Sequence, residues 1–516
     1  MKKKWLSALI CGLLCSGAQA LNSVLDFDYG FYKGADFELK PGDCDACIDE
    51  AARFYFKGEK IAVPKNKNGL SFFWNNPTLV AAGYLTDDGR KFREDSGEVF
   101  DFAVLDKIPD NLSYYNQKSS EYFSGRKLIV KGEVKDGKLI AESIWPENHQ
   151  FASNLEVKAV AGKSIYDLVR DKNISDSELT AQALWSRDGK PVSLNRRNTL
   201  AFILNGAQGD DDEAHGGHFA IATGKTDGLG QWNNLLVNNF YGLDAYSEKG
   251  IIASRVPLDL YQAELNSGQS WYRPSYVLMV ILKDESIAQA YQDNINRKFD
   301  HFYRHHFEYN HALANCAGIN LETLRELGWN IRKEGVESYL KGIAVIPYLT
   351  LTDSFDSAKK AANYMMTEKT NLYPFVAFNA IGEDLLSRIV NKKDLTTEFE
   401  KQLADDIEAI VYIKIPQFPS SRAEGAPPIA SFDEYMSRVP ANRADWKIVP
   451  NPPRPFPPEL REPALEQDAV QPYVYAIAAN ALVLAGLILG IGMLIRKFSR
   501  ARKRGAAAPS SRPSPP

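Results

Sequence analysis

The stretch Val474–Ile495 constrains this chain most, because its 22 residues contain one polar side chain, Asn480. At about 1.5 Å per helical residue, such a run matches a hydrocarbon core of roughly 30 Å, so a single transmembrane helix is expected over 474–495. Arg496, Lys497, Arg500, Arg502, Lys503 and Arg504 follow at once, and a basic flank marks the cytoplasmic side. At the other end, residues 1–20 join Lys2-Lys3-Lys4 to an apolar run and to Ala18-Gln19-Ala20, the pattern of a cleaved signal peptide. The two ends together predict a bacterial inner-membrane protein with its body on the periplasmic side and residues 496–516 as a cytoplasmic tail. Gly486 and Gly490 have the spacing that lets two membrane helices approach, so a weak homodimer is a further expectation.

With 44% hydrophobic residues, 61 basic against 65 acidic side chains and five cysteines in 516 residues, the chain is neither disordered nor a disulfide framework. Setting aside the three signal lysines and the seven tail cations from the net −4 leaves −14 over residues 21–471. An acidic body lacks the basic footprint that phosphate backbones require, so a nucleic-acid partner is not expected.

Residues 21–155 alternate short apolar runs with turns. Leu128-Ile129-Val130 and Leu139-Ile140-Ala141 flank Asp136-Gly137, and Asp87-Asp88-Gly89 offers a second hairpin turn, so a small β-rich domain is predicted. Residues 156–415 mix both element types. Thr199–Leu204, Phe219–Ala222, Leu235–Val237 and Tyr276–Ile281 are strand-like, the last apolar enough to be central. Tyr291, Ile295, Phe299 and Phe302 recur at helical steps, and the fold class is α+β. Residues 416–473 carry 13 of the 27 prolines and are expected to form an extended stalk, with docking through Trp446, Phe456 and Tyr473 as the alternative.

Cysteine counting points toward chemistry. Cys11 and Cys15 leave with the signal, Cys44 and Cys47 are close enough to staple a loop, and Cys316 remains as a free thiol. Asn315 is a good helix N-cap, Leu321, Leu324 and Leu327 give one apolar face, and Gly328 is a natural stop, so Cys316 falls in a helix's first turn. There the free amides and the dipole favour thiolate and offer donors to an oxyanion. A base is offered by Gly216-Gly217-His218-Phe219-Ala220-Ile221-Ala222-Thr223-Gly224, where His218 opens an apolar strand. The next strand ends in Val237-Asn238-Asn239, close enough for an asparagine to orient the imidazole.

A histidine opening this strand, a polar residue on the next, and a later Asn-Cys heading a helix resemble the permuted NlpC-like branch of the papain-like cysteine peptidases and amidases. The likeness covers about residues 195–330. It implies a catalytic domain of that fold with Cys316 as nucleophile, His218 as general base and then acid, and Asn238 as orienting residue. Asn239 is the competitor, since one residue of register slip exchanges the two faces of a strand. The implied activity is hydrolysis of an amide, most simply in peptidoglycan peptides, through an acyl-enzyme. An acyltransferase or esterase acting on lipid, or a tethered binding protein without catalysis, are the rivals. No cofactor is expected; the metal alternative places a divalent ion on His215, His218 and Asp211, with His301, His305, His306 and His311 near a helix end.

Overall fold

The computed structural model describes residues 28–461 and 490–497, with a two-residue strand at 22–23, apart from breaks at 67–71, 76–78, 107, 109–112, 150–155, 160–161, 172–177, 227–233, 248–249 and 421–422. The segment expected as a signal peptide, residues 1–20, and most of the expected tail, 496–516, lie outside the described residues.

Eight strands form the central sheet: β10 (Val157–Ala159), β11 (Thr180–Ser186), β12 (Asn198–Asn205), β13 (His218–Lys225), β14 (Leu235–Asn239), β15 (Ser254–Pro257), β16 (Ser275–Leu282) and β17 (Ile407–Ile415). Their spatial order is β10-β11-β17-β16-β12-β13-β14-β15, antiparallel except for the β10–β11 pair. Every residue of β16 is buried, as its uninterrupted apolar run requires of a strand covered on both faces.

Alternation along β13 decides what each face presents. His218, Ala220 and Ala222 share one side; Phe219, Ile221 and Thr223 share the other. Because Ile221 pairs with Asn238, that asparagine lies on the Phe219 side, and Asn239 falls on the His218 side. Helix α5 (Ser286–Tyr303) covers the Phe219 side: its Gln292 bonds both Thr223 and Asn238. Asn205, opposite His218 in the β12–β13 pairing, is met by Tyr261 of the short helix α4 (Leu258–Ala263).

The region expected as one β-rich domain divides in two. Strands β2 (Phe37–Pro41), β3 (Lys60–Pro64) and β4 (Phe73–Trp74) form a small sheet, and Ile61, Val63 and Trp74 belong to the same core as the central sheet. Helix α1 (Glu50–Phe56) follows the Cys44–Cys47 pair, which sits at disulfide distance and closes the preceding loop. Strands β5 (Leu79–Leu85), β6 (Lys91–Glu94), β7 (Val99–Val104), β8 (Leu128–Lys135) and β9 (Lys138–Pro146) close into a barrel, with β5 bonded to both β6 and β8 and β7 parallel to β9. A Greek-key order results. The short strand β1 (Asn22–Ser23) pairs with β5, and α2 (Gln117–Phe123) connects β7 to β8. Asp136 and Gly137 adopt φ of 53° and 76°, the double positive that a two-residue hairpin needs.

The barrel core of Phe92, Phe123, Leu128 and Trp145 runs on into Trp271 and Phe418 of the central domain. Lys131 of β8 pairs with Asp259 of α4, both buried, and Glu264 accepts the Asn266 and Ser267 amides beside the same junction. Burial pushes the Glu264 carboxyl up to about 7. The unfolded chain ionises it near the ordinary carboxyl value, so its favourable contribution is full below about 4.5 and fades as pH rises to about 7, by roughly 3 kcal/mol. Urea melts of Glu264→Gln against wild type should show the variant gaining relative stability over that window; a pH-independent difference would contradict the assignment.

Two expectations are corrected. Among the described residues no helix is long and apolar enough to cross a membrane, so the C-terminal transmembrane helix is not part of the observed architecture. Residues 474–489, with Gly486, lie outside the described residues. Gly490–Lys497 is helical. The segment expected as a stalk instead runs along the body as far as Arg461. Arg454 N donates to the Asp244 carbonyl at 2.6 Å, and Phe456 inserts against Tyr55 and His305, its ring 4.0 Å from the imidazole. The aromatic side chain gains more by burial than an extended solvated spacer would.

Residues 338–366 form a separate compact unit, to which the described residues 490–497 also belong. Within it, α7 (Tyr339–Thr352) and α8 (Phe355–Met366) are an antiparallel hairpin, with Ser338 capping the first turn of α7.

Candidate functional site

Helix α6 (Cys316–Glu326) begins where the sequence places it. Asn315 Oδ1 accepts the Ala317 and Gly318 amides at 3.0 and 2.9 Å, its Nδ2 donates to the His311 and Leu372 carbonyls, and Gly328 ends the helix with φ of 103°. The cap therefore fixes Cys316 at the first helical position. It also occupies amides that were expected to be free, and the Cys316 amide donates to Tyr309 Oη at 3.3 Å.

The Cys316 sulfur faces the Phe219 amide, the Tyr309 hydroxyl and the Ala317 amide. The Phe219 amide belongs to the peptide joining it to His218, so the sulfur sits one peptide unit from the imidazole-bearing Cα. Both groups are buried, each 3% exposed. Burial raises the thiol above its ordinary value despite those three donors and the positive charge of Arg273. Burial, together with Arg273, pushes the imidazole down to about 3. At neutral pH the resting pair is thus thiol and neutral imidazole.

The asparagine that meets the imidazole is Asn239, and not Asn238 as expected. His218 Nε2 lies 2.7 Å from Asn239 Oδ1, while Asn239 Nδ2 donates to the Ile252 carbonyl at 3.0 Å. That second bond fixes which end of the amide faces the ring. An amide oxygen only accepts, so Nε2 carries the proton and Nδ1 is left with its lone pair. Asn238 turns to the opposite face, where Nδ2 reaches Gln292 and the Ile221 carbonyl. The register explains the choice: Asn239 shares the face of His218.

Three further residues surround the pair without having been singled out in the sequence. Tyr309 is held fully protonated by burial and contacts both the amide and the sulfur of Cys316. Tyr261 bonds Asn205 beside His218. Arg273 anchors on Gln269 and the Gly206 carbonyl, placing its charge against imidazolium formation. None lies in a recognisable motif, since each arrives through tertiary contact alone.

A cavity of about 260 Å³ adjoins the site, lined by Asp244, His305, Glu308, Tyr309 and His311 among others. Tyr309 is its shared wall with Cys316. Asp244, His305 and Glu308 bring ligand-type atoms within 4.8 Å of one another, but Glu308 pairs with Arg461 at 2.7 Å and His305 bonds Tyr55, so these groups already hold the C-terminal strap. His215, His218 and Asp211 do not form a metal cluster among the described residues: His215 Nε2 lies 3.3 Å from Asp212 and His218 bonds Asn239. His301 faces His306, at 3.1 Å between their Nδ1 atoms.

No family model, curated protein or solved structure matches the chain, so the residues and their geometry carry the functional argument.

Proposed function

We propose that this protein is an exported thiol hydrolase in which Cys316 attacks an amide carbonyl, His218 moves the proton and Asn239 orients the imidazole. The observation that carries the reading is the fixed tautomer: Asn239 Oδ1 holds the proton on Nε2 and leaves Nδ1 as the base, on a residue whose peptide link to Phe219 supplies the amide that faces the sulfur. With both groups neutral at rest, the thiol proton passes to Nδ1 as the sulfur–carbon bond forms. The imidazolium then returns that proton to the leaving amine, and water hydrolyses the thioester by the same relay. The Tyr309 hydroxyl and the Phe219 amide stand beside the sulfur as donors to developing negative charge. Peptidoglycan peptides are the proposed substrate class, supported by the export signal, the Cys44–Cys47 pair and the resemblance to NlpC-like enzymes.

One observation favours a second reading. The 3% exposure of both side chains and their neutral resting state suit a cysteine retained as a packed core residue in a binding protein. Hydrolysis of muropeptides and of acyl esters, compared in wild type, Asn239→Ala and Asn238→Ala, separates the two. The triad requires the Asn239 variant to lose activity by about tenfold to a hundredfold, with Asn238→Ala much nearer wild type when both are folded. Activity that is equal in all three proteins removes Asn239 from the mechanism, and activity absent from wild type on every substrate supports the binding protein instead.

A further inference from the structure

Helix α7 is the least satisfied surface among the described residues. Of its 14 residues only Gly342 is buried, and Lys341 is its single charge. Leu340 and Leu351 are 81% and 86% exposed, with Tyr339, Tyr348 and, at the start of α8, Phe355 also exposed. Positions 340, 344, 348 and 351 recur at three- and four-residue steps, so these side chains form one stripe along α7, and Phe355 opens α8 beyond the turn. Exposed apolar area of this kind on a protein surface marks a partner.

We infer that the α7–α8 hairpin binds the surface of an anionic lipid bilayer, lying in the interface rather than crossing it. Three features favour lipid over a protein partner. Apolar residues continue around α7 through the half-buried Ile343, Val345, Ile346 and Leu349, a breadth that suits a surrounding solvent better than a single packed helix. Tyr339 and Tyr348 add amphipathic rings of the type that settle at headgroup level. Charge agrees as well: the hairpin has Lys341, Lys359 and Lys360 against Asp353 and Asp356, although the whole chain is net −4. Anionic headgroups attract such a unit and repel the remaining acidic body. At 14 residues α7 extends about 21 Å, too short to span a hydrocarbon core of roughly 30 Å.

The test uses the full chain with Cys11 and Cys15 replaced by serine and Leu351→Cys labelled by a fluorophore that brightens in apolar surroundings; Cys316 is buried and Cys44 and Cys47 are paired. Vesicles of phosphatidylcholine with phosphatidylglycerol should raise and blue-shift the emission, and brominated acyl chains should quench it. Adding Leu340→Glu and Tyr348→Glu should weaken vesicle partitioning by about tenfold or more. Both substitutions are at exposed positions, and an unchanged melting temperature confirms that the fold is intact. Emission unaffected by either vesicle type overturns the proposal. So does brightening that rises with protein concentration in the absence of lipid, which identifies a second copy as the occupant.

Discussion

Replacing His218 by alanine is expected to lower amide hydrolysis by about a thousandfold to ten-thousandfold, with Cys316→Ala losing at least as much and the double variant no more than the worse single one. The non-additivity is the diagnostic part. A nucleophile that cannot shed its proton and a base with no nucleophile to serve disable the same step, so the second substitution removes nothing further. Single-turnover acylation of a fluorogenic acyl amide measures it directly. Retained turnover in Cys316→Ala would remove the thiol mechanism altogether, and losses that multiply would mean that the two side chains act separately.

Arg388→Met is expected to destabilise the fold by about 3–5 kcal/mol, because it strips the positive charge from two buried carboxylates. Arg388 bonds Asp384 at 2.7 and 2.9 Å and Glu400 at 2.7 Å. Glu400 also accepts the Asn330, Thr396 and Thr397 amides, and Asp384 accepts the Trp329 indole at 2.7 Å, fastening the segment that leaves α6. Despite its burial, Glu400 is held down to about 2 by this guanidinium and these amides. Its contribution is therefore complete above about 4.5 and is lost as pH falls toward 2. Chemical denaturation at neutral pH should show the full deficit for Arg388→Met, and the gap to wild type should narrow in acid. A deficit below about 1 kcal/mol would place this network with ordinary surface pairs.

The sequence exposed those parts of the fold that depend on local periodicity and turn chemistry. The run Tyr276–Ile281 became a central strand because an apolar stretch without alternation can be buried on both faces. Asp136-Gly137 became a tight hairpin because few other pairs tolerate two positive φ angles. Asn315, Cys316 and Gly328 marked the limits of α6 because caps are read from single residues. Proline content, by contrast, could not separate a stalk from a strap. That difference lay in whether Phe456 found a pocket, and the pocket is built by Tyr55 and His305, about 400 and 150 positions away. The apolar content of 474–495 likewise described a composition, and no membrane-length helix appears among the described residues.

By itself the sequence determined the residue types of the site and the elements bearing them: a thiol at a helix start, an imidazole at a strand start and two adjacent asparagines on another strand. Only the tertiary structure decided which asparagine meets the ring. Adjacent strand residues point to opposite faces, and the β13–β14 register is set by pairing across the sheet. It also decided the protonation state, since both reactive groups are shifted mainly by burial, and burial is produced by chain segments brought together from far apart.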